Sequence, residues 1–343
     1  MNSNWWKAFN LQHPIIQAPM AGSTPPKFVA ACCGAGILGS LGAGYMTADA
    51  TRKAVREIRE LTERPFGVNL FVPENPERDP DVIKAAFGAL RPYREELGLP
   101  EELPALGESG FEEQVAVLAE ERVAVVSFTF GLPDEHSVRR LKGAGCFLIG
   151  TATTPEEAVL AERAGMDAVV LQGKEAGGHR GAFDGEDRFL SLGDLLAETD
   201  VSVPLIAAGG IWNAETVRAA LDAGASAVQV GTALLVSEES GANPLHKEAI
   251  LGAADGDTVI TKAFSGKGAR GLANRFTREM AGAPIAPYPL QNGLTKPIRS
   301  EAGKQGDSGL LSLWSGENGW RGEGGTVAEI VERLTGGAAE EKV

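Results

Sequence analysis

The chain has 343 residues, 43% hydrophobic and 23% charged, proportions of a globular protein that exclude disordered and fibrous classes. Its 46 acidic against 32 basic residues leave a net charge of −14, a field that repels phosphate backbones and argues against nucleic acid as a partner. Three cysteines, with Cys32 and Cys33 adjacent, imply neither a disulfide framework nor a metal site, and the absence of a long apolar run or a signal-like order in residues 1–12 leads us to expect a cytoplasmic protein without a membrane span.

From the N-terminus, short apolar runs recur at 15–18, 37–41, 66–71, 123–128, 147–151, 168–172, 204–208 and 227–232, each followed by loop residues and a helix-like stretch. They are mostly apolar instead of alternating, as expected for parallel strands covered on both faces. Runs of this kind separated by helices predict a (β/α)8 TIM barrel of the α/β class. Thr154-Pro155-Glu156-Glu157 reads as a capping box with proline in the first turn, and Gly165 ends that helix. Asn213 caps another, with Ala214, Val217 and Leu221 on one face and Gly224 at its end. An Ala-Gly pair precedes a strand at Ala144-Gly145, Ala164-Gly165 and Ala223-Gly224, the trace that repeated βα units would leave.

Two stretches break the rhythm. Residues 73–104 are rich in proline and charge, with an amphipathic patch at 82–90. Residues 233–292 read as helices and Gly/Pro-rich loops, and 308–313 and 327–334 look helical. The expected organisation is a barrel of 1–232 plus 293–343, with a smaller helical and loop lid subdomain, 233–292, inserted after the eighth strand.

A parallel barrel carries its active site at the carboxyl ends of the strands. Those ends are Pro19-Met20-Ala21-Gly22, Gly42-Ala43-Gly44-Tyr45, Asn69, Phe128-Thr129-Phe130-Gly131, Gln172, Gly209-Gly210 and Gly231-Thr232. They are poor in acids and rich in glycine, amide and apolar groups, which suits a flat, aromatic, polyanionic ligand better than a metal or a sugar. Glycines can simply end strands tightly. At the adjacent seventh and eighth strands, however, Gly209-Gly210 and Gly231-Thr232 together suit a phosphate, with Thr232 adding a hydroxyl donor.

The segment from Gln172 to Gly181 holds His179 among three glycines, with no apolar face to pack. A solvated surface loop is the plain alternative, but a glycine-rich loop can fold over a ligand and an imidazole can exchange protons near neutral pH. His13, His136 and His246 read as structural or exposed. Gly34-Ala35-Gly36-Ile37-Leu38-Gly39 matches GxGxxG, yet it follows a helix and leads into a strand, the inverse of a dinucleotide fingerprint.

The motifs at 14–22, 39–45 and 66–71, the Glu175-Ala176-Gly177-Gly178-His179-Arg180-Gly181 loop, and those at 207–211 and 229–232 resemble the class I nitronate monooxygenases, formerly called 2-nitropropane dioxygenases. The likeness spans about residues 14–300, and the histidine loop is its most discriminating part. It implies an FMN-dependent barrel that oxidises alkyl nitronates with O2. Propionate 3-nitronate would be the favoured substrate, giving the carbonyl compound plus nitrite or nitrate without NAD(P)H or a metal. By position, Asn69, Gln172, Gly177, Gly210, Gln229, Val230, Gly231 and Thr232 would contact FMN. Met20 would lie near the flavin ring and His179 would face the substrate, with Tyr288 and Lys296 at its negative end.

A nitronate is already an anion, so no carbon proton need be removed; His179, Arg180 or Lys296 could stabilise the negative nitro group. A neutral nitroalkane would also require a base, for which His179 is the candidate. Partners would be the small substrate and O2, in a monomer or homodimer. Two alternatives stand beside this: an NAD(P)H-dependent flavin reductase of quinones or enoyl thioesters on the same barrel, and a non-enzymatic binder of a phosphate metabolite.

Overall fold

The computed structural model describes residues 4–104, 110–185 and 188–337. Its strands in chain order are β1 (Ile15–Gln17), β2 (Ser40–Gly42), β3 (Gly67–Phe71), β4 (Val125–Thr129), β5 (Phe147–Ala152) and β6 (Ala168–Gln172). There follow β7 (Gly178–His179), β8 (Leu205–Ala208), β9 (Ala227–Val230), β10 (Thr258–Thr261) and β11 (Ala269–Leu272). An 8-stranded parallel sheet runs β1-β9-β8-β6-β5-β4-β3-β2. Its two ends meet, for Ile16 bridges Leu38 in parallel and the Gln17 N–H donates to the Leu38 carbonyl at 2.8 Å. With helices between the strands, this is the expected (β/α)8 barrel. At Gly39 the seam runs so close to helix Pro26–Gly34 that a Cβ would lie 2.2 Å from the Val29 carbonyl oxygen.

The strand period of two sorts the side chains. Ile15, Val126, Leu148, Val169 and Val228 face outward into a core shared with Phe28, Leu118, Leu141 and Leu334 of the helices. Ile16, Val125, Ile149, Val170, Ile206 and Ala227 form a separate inner plug. Trp5 closes that plug, stacked on Phe147 at 5.0 Å and donating to Ser226 Oγ at 3.1 Å. Further along the same inward register stand Asn69, Thr129, Thr151, Gln172, Ala208 and Gln229, which line a cleft. One end is therefore filled with apolar side chains, and the other is open and polar.

Caps sit largely where the sequence puts them. Asn213 and Thr216 make a reciprocal capping box, and Thr154 Oγ1 accepts from the Glu157 N–H at 3.2 Å. Glu157 departs from its expected role. It is fully buried and accepts from Thr153 N–H at 2.6 Å and Asp184 N–H at 2.9 Å, and from the Phe183 N–H. Its carboxylate thus ties the chain beyond His179 to the helix start, and does not reach back to Thr154.

The insert builds its own antiparallel sheet, in order β10-β11-β7. β11 pairs with the histidine loop, Ala269 opposite His179 and Arg270 opposite Gly178. A second apolar cluster runs from Leu235 through Phe264 and Phe276 to Leu313, and takes in Ala86, Leu90 and Tyr93 from the 73–104 excursion. The segment expected as a lid thus shares one core with residues on either side of its 233–292 bounds. Among the described residues no helix is long and apolar enough to cross a membrane.

Candidate active site

The open end of the barrel is a cleft of about 2340 Å³. His179 lies on its wall, fixed on both sides. Its backbone is held by β11, and its Nε2 lies 2.8 Å from Ser265 Oγ, in the turn between β10 and β11. Ser265 Oγ can donate to the Lys267 carbonyl at 3.2 Å. When that proton is so engaged, Nε2 carries the imidazole proton and Nδ1 is the acceptor. Phe130, Tyr288 and Trp314 surround the ring at 5.7, 6.1 and 5.3 Å between centroids. Burial first, then the positive charges of Arg299 and Lys267, push the imidazole down to about 3. His179 is therefore neutral at physiological pH, with its proton affinity lowered by its surroundings.

Gln172, at the end of β6, holds the histidine loop. Its Nε2 donates to the His179 carbonyl at 3.0 Å and its Oε1 accepts from the Gly181 N–H at 2.7 Å. One amide proton of its side chain is left for a ligand. Asn69 is buried and donates to Ser127 Oγ at 3.0 Å and Thr129 Oγ1 at 3.1 Å, which leaves its Oδ1 as an acceptor. Met20 and Gln229 also line the cleft. Val230 follows Gln229 on the strand, so its side chain points the other way, into the core between strands and helices.

A second corner of the cleft is made of backbone. Gly209 and Gly210 adopt φ of +124° and +71°, conformations that favour glycine. Among the described residues none accepts a hydrogen bond from the N–H of Gly209, Gly210 or Ile211. Gly231 caps the short helix Thr232–Leu235, whose first amides have no intrahelical acceptor. A late segment completes the corner, with the Gly316 N–H donating to Thr232 Oγ1 at 2.9 Å and Asn318 Nδ2 to the Gly210 carbonyl at 3.0 Å. Gly177 belongs here too, since a Cβ on it would lie 2.4 Å from Gly316 N.

Tyr288 stands between the two faces of the cleft, 5.1 Å from the Phe130 ring, and its hydroxyl donates to Tyr45 Oη at 3.4 Å. Burial and the neighbouring Tyr45 hold its hydroxyl well above the usual phenol range, so it stays protonated. Lys296 is exposed on the cleft rim. Arg180 is turned from the cleft, its Nη1 donating to the carbonyls of Gln172 at 3.0 Å and Gly173 at 2.7 Å. It pins the loop and is not placed to meet a substrate.

Several groups that line the cleft or stand behind its wall carry no signal in the sequence. Ser265 and Lys267 come from the insert, and Lys267 pairs with Glu74 at 2.6 Å while lying 5.1 Å from the Phe130 ring centroid. Arg299 comes from helix Leu290–Gln305, and Trp314, Gly316 and Asn318 from the tail. The turn-rich Ser315-Gly316-Glu317-Asn318-Gly319 could have been marked as a loop, but nothing local says which barrel end it covers.

The family model described as nitronate monooxygenase matches residues 2–337. A protein of Staphylococcus haemolyticus named probable nitronate monooxygenase is 41% identical over 342 residues, covering 97% of this chain and 96% of its own. Among solved structures, the nitroalkane oxidase of Streptomyces ansochromogenes superposes with a TM-score of 0.91 at 40% identity, covering 96% of each chain. FabK from Thermotoga maritima superposes at 0.76 with 32% identity, covering 96% of this chain and 93% of its own. With the barrel, the histidine loop and the glycine corner in place, these matches identify the chain as an oxidoreductase that belongs to the nitronate monooxygenase family.

Proposed function

We propose that this protein binds FMN and oxidises alkyl nitronates with O2, propionate 3-nitronate being the favoured substrate, to the carbonyl compound and nitrite or nitrate. The glycine corner supports the cofactor. Among the described residues none accepts from the amides of Gly209, Gly210 and Ile211, the helix start at Thr232 adds more donors, and Gly177 and Gly316 allow close approach of a phosphate. Gln172 and Asn69 offer one donor and one acceptor to a heteroaromatic ring held above the strand ends, with Met20 lining the same space. Bound FMN supplies the electron transfer and the reactivity toward O2.

The observation that carries the substrate reading is the state of His179. An imidazole held near 3 beside Arg299 and Lys267 is unsuited to pulling a proton from a neutral nitroalkane, but it is a fit neighbour for a substrate that arrives already ionised. The positive charges attract the anion, and the rings of Phe130, Tyr288 and Trp314 restrict water around it. His179, fixed by Ser265 and by β11, orients the nitronate through a neutral hydrogen bond.

An oxygen electrode and an anaerobic cuvette test this. The purified protein should be yellow, release FMN on denaturation, and consume O2 on addition of propionate 3-nitronate. Rapid anaerobic bleaching by NADPH with no nitronate-dependent oxygen uptake would instead establish the flavin reductase. A colourless protein that stays free of FMN after its addition would favour the non-enzymatic binder.

A further inference from the structure

Arg299 presents an electrostatic problem that the reaction as described does not solve. Long side chains on a helix lean toward its N-terminus, and Arg299 does so for two turns: its Nη2 donates to Asn292 Oδ1 at 2.7 Å and to the Asn292 carbonyl at 3.1 Å. This carries the guanidinium off the solvent face of helix Leu290–Gln305 and into the wall of the cleft. Its Nε is buried with no partner, and among the described residues no carboxylate pairs with it. Burial holds its ionisation below the ordinary arginine value, although a guanidinium stays charged throughout the accessible pH range.

Arg299 is half-buried with its Nε sealed from solvent, and a partly desolvated cation without a counter-ion is stabilised by an anion that completes it. Arg275, by contrast, meets Glu96 at 2.6 Å and Glu279 at 3.0 Å, while the buried Arg94 is held by the carbonyls of Pro100 and Glu102 and does not line the cleft. Lys267, the other cation near His179, is already matched by Glu74. The ionisable groups that feel the charge of Arg299 are Tyr45 and His179, both neutral. The glycine corner belongs to other segments, 209–211, 231–233 and 316–318, and has its own donors. The cleft thus holds two anion-seeking places built from different parts of the chain.

We propose that Arg299 is a specificity-determining residue that binds a carboxylate on the tail of the nitronate, so that the preferred substrates carry a second negative charge. With Nη2 engaged by Asn292, Nη1 is the nitrogen left to donate to the carboxylate, and a lysine's single nitrogen cannot hold Asn292 and the carboxylate in the same geometry. This rests on the nitronate-oxidising reading. The exposed Lys296 at the rim then serves approach of the anion, while Arg299 sets its final position.

The test compares holoenzyme and two variants, Arg299→Gln and Arg299→Lys, on propionate 3-nitronate and on propyl-1-nitronate, whose tail is uncharged. The ratio of kcat/KM between the two substrates should fall about 10- to 100-fold in both variants, mainly through KM for the carboxylated one. A ratio unchanged within about twofold overturns the proposal. A binding arm is independent of turnover: calorimetric titration of wild-type holoenzyme with succinate, whose second carboxylate mimics a nitronate, should give clearly tighter binding than butyrate. The difference should disappear in Arg299→Gln, with unchanged FMN content and melting temperature showing that the variant is folded. If wild type oxidises neither nitronate yet prefers succinate through Arg299, the reading of the reaction fails and the anion site stands. If it oxidises both nitronates alike and binds both acids alike, the site fails and the reaction stands.

Discussion

His179 Nε2 and Ser265 Oγ meet at 2.8 Å across a sheet formed by the histidine loop and the inserted strand β11. His179, proposed to face the substrate, is thereby held by a part of the chain outside the barrel repeat. Ser265→Ala removes the partner of Nε2 while leaving β11 paired. The expected loss is about 1 kcal/mol, near fivefold in kcat, with FMN content unchanged. His179→Asn should cost far more turnover than cofactor. Rapid-quench kinetics alongside flavin quantification checks both, and parallel losses of flavin and turnover would make the histidine a purely structural element.

The low proton affinity of His179 sets a second expectation. If substrates arrive ionised, initial rates with a nitroalkane should follow the fraction of it already converted to nitronate in solution. Pre-formed nitronate should be oxidised at once. Mixing the enzyme with nitroalkane at several pH values, with and without prior incubation of the substrate in base, reads this directly. Equal initial rates from both forms at neutral pH would mean that the enzyme removes the carbon proton itself.

The same shift has a consequence for folding. The folded value of about 3 lies below the value of about 6.5 for a free imidazole, so the unfolded chain takes up the proton first as pH falls. The contribution of neutral His179 is complete above about pH 6.5 and is lost progressively toward pH 3. His179→Gln should therefore show a smaller drop in melting temperature between about pH 7.5 and pH 5 than wild type does. Identical drops would show that the imidazole titrates normally in the folded protein.

At the glycine corner, Thr232→Val removes the acceptor for the Gly316 N–H and the hydroxyl proposed to meet the FMN phosphate. The FMN dissociation constant should rise roughly tenfold. Gly177→Ala is more severe, since its Cβ would fall 2.4 Å from Gly316 N and displace the tail from the barrel. Equilibrium dialysis of FMN against both variants measures the effect, and wild-type retention in either would remove the phosphate from this corner.

The barrel was legible because parallel strands buried on both faces leave continuous apolar runs, as 168–172 does for β6. Period two, once the strands were aligned, also decides that Gln229 and not the side chain of Val230 reaches the cleft. β10, Thr258-Val259-Ile260-Thr261, is β-branched throughout and carries a strand signal that the expectation of helices and loops over 233–292 passed over, whereas β11 was not legible. Ala269-Arg270-Gly271-Leu272 has no β-branched residue, and its pairing with Gly178–His179 joins segments far apart in sequence. Arg299 was hidden for another reason. An arginine in a helix with lysine and glutamate neighbours reads as part of a solvated face, and only its reach back to Asn292 takes it inside. Glu157 is the opposite case: its cap position was correct and its carboxylate had a different task.

The last wall of the glycine corner, Gly316 to Asn318, comes from sequence that follows every barrel strand. If FMN binds at this corner as proposed, the eight strands could close before the seat for its phosphate is complete. A chain at that stage would have native secondary structure and no means of keeping its coenzyme, and the docking of one short tail segment would convert scaffold into holoenzyme. Amide exchange at 315–319 should slow sharply on adding FMN while exchange in the strands hardly changes, marking coenzyme capture as the final event of maturation.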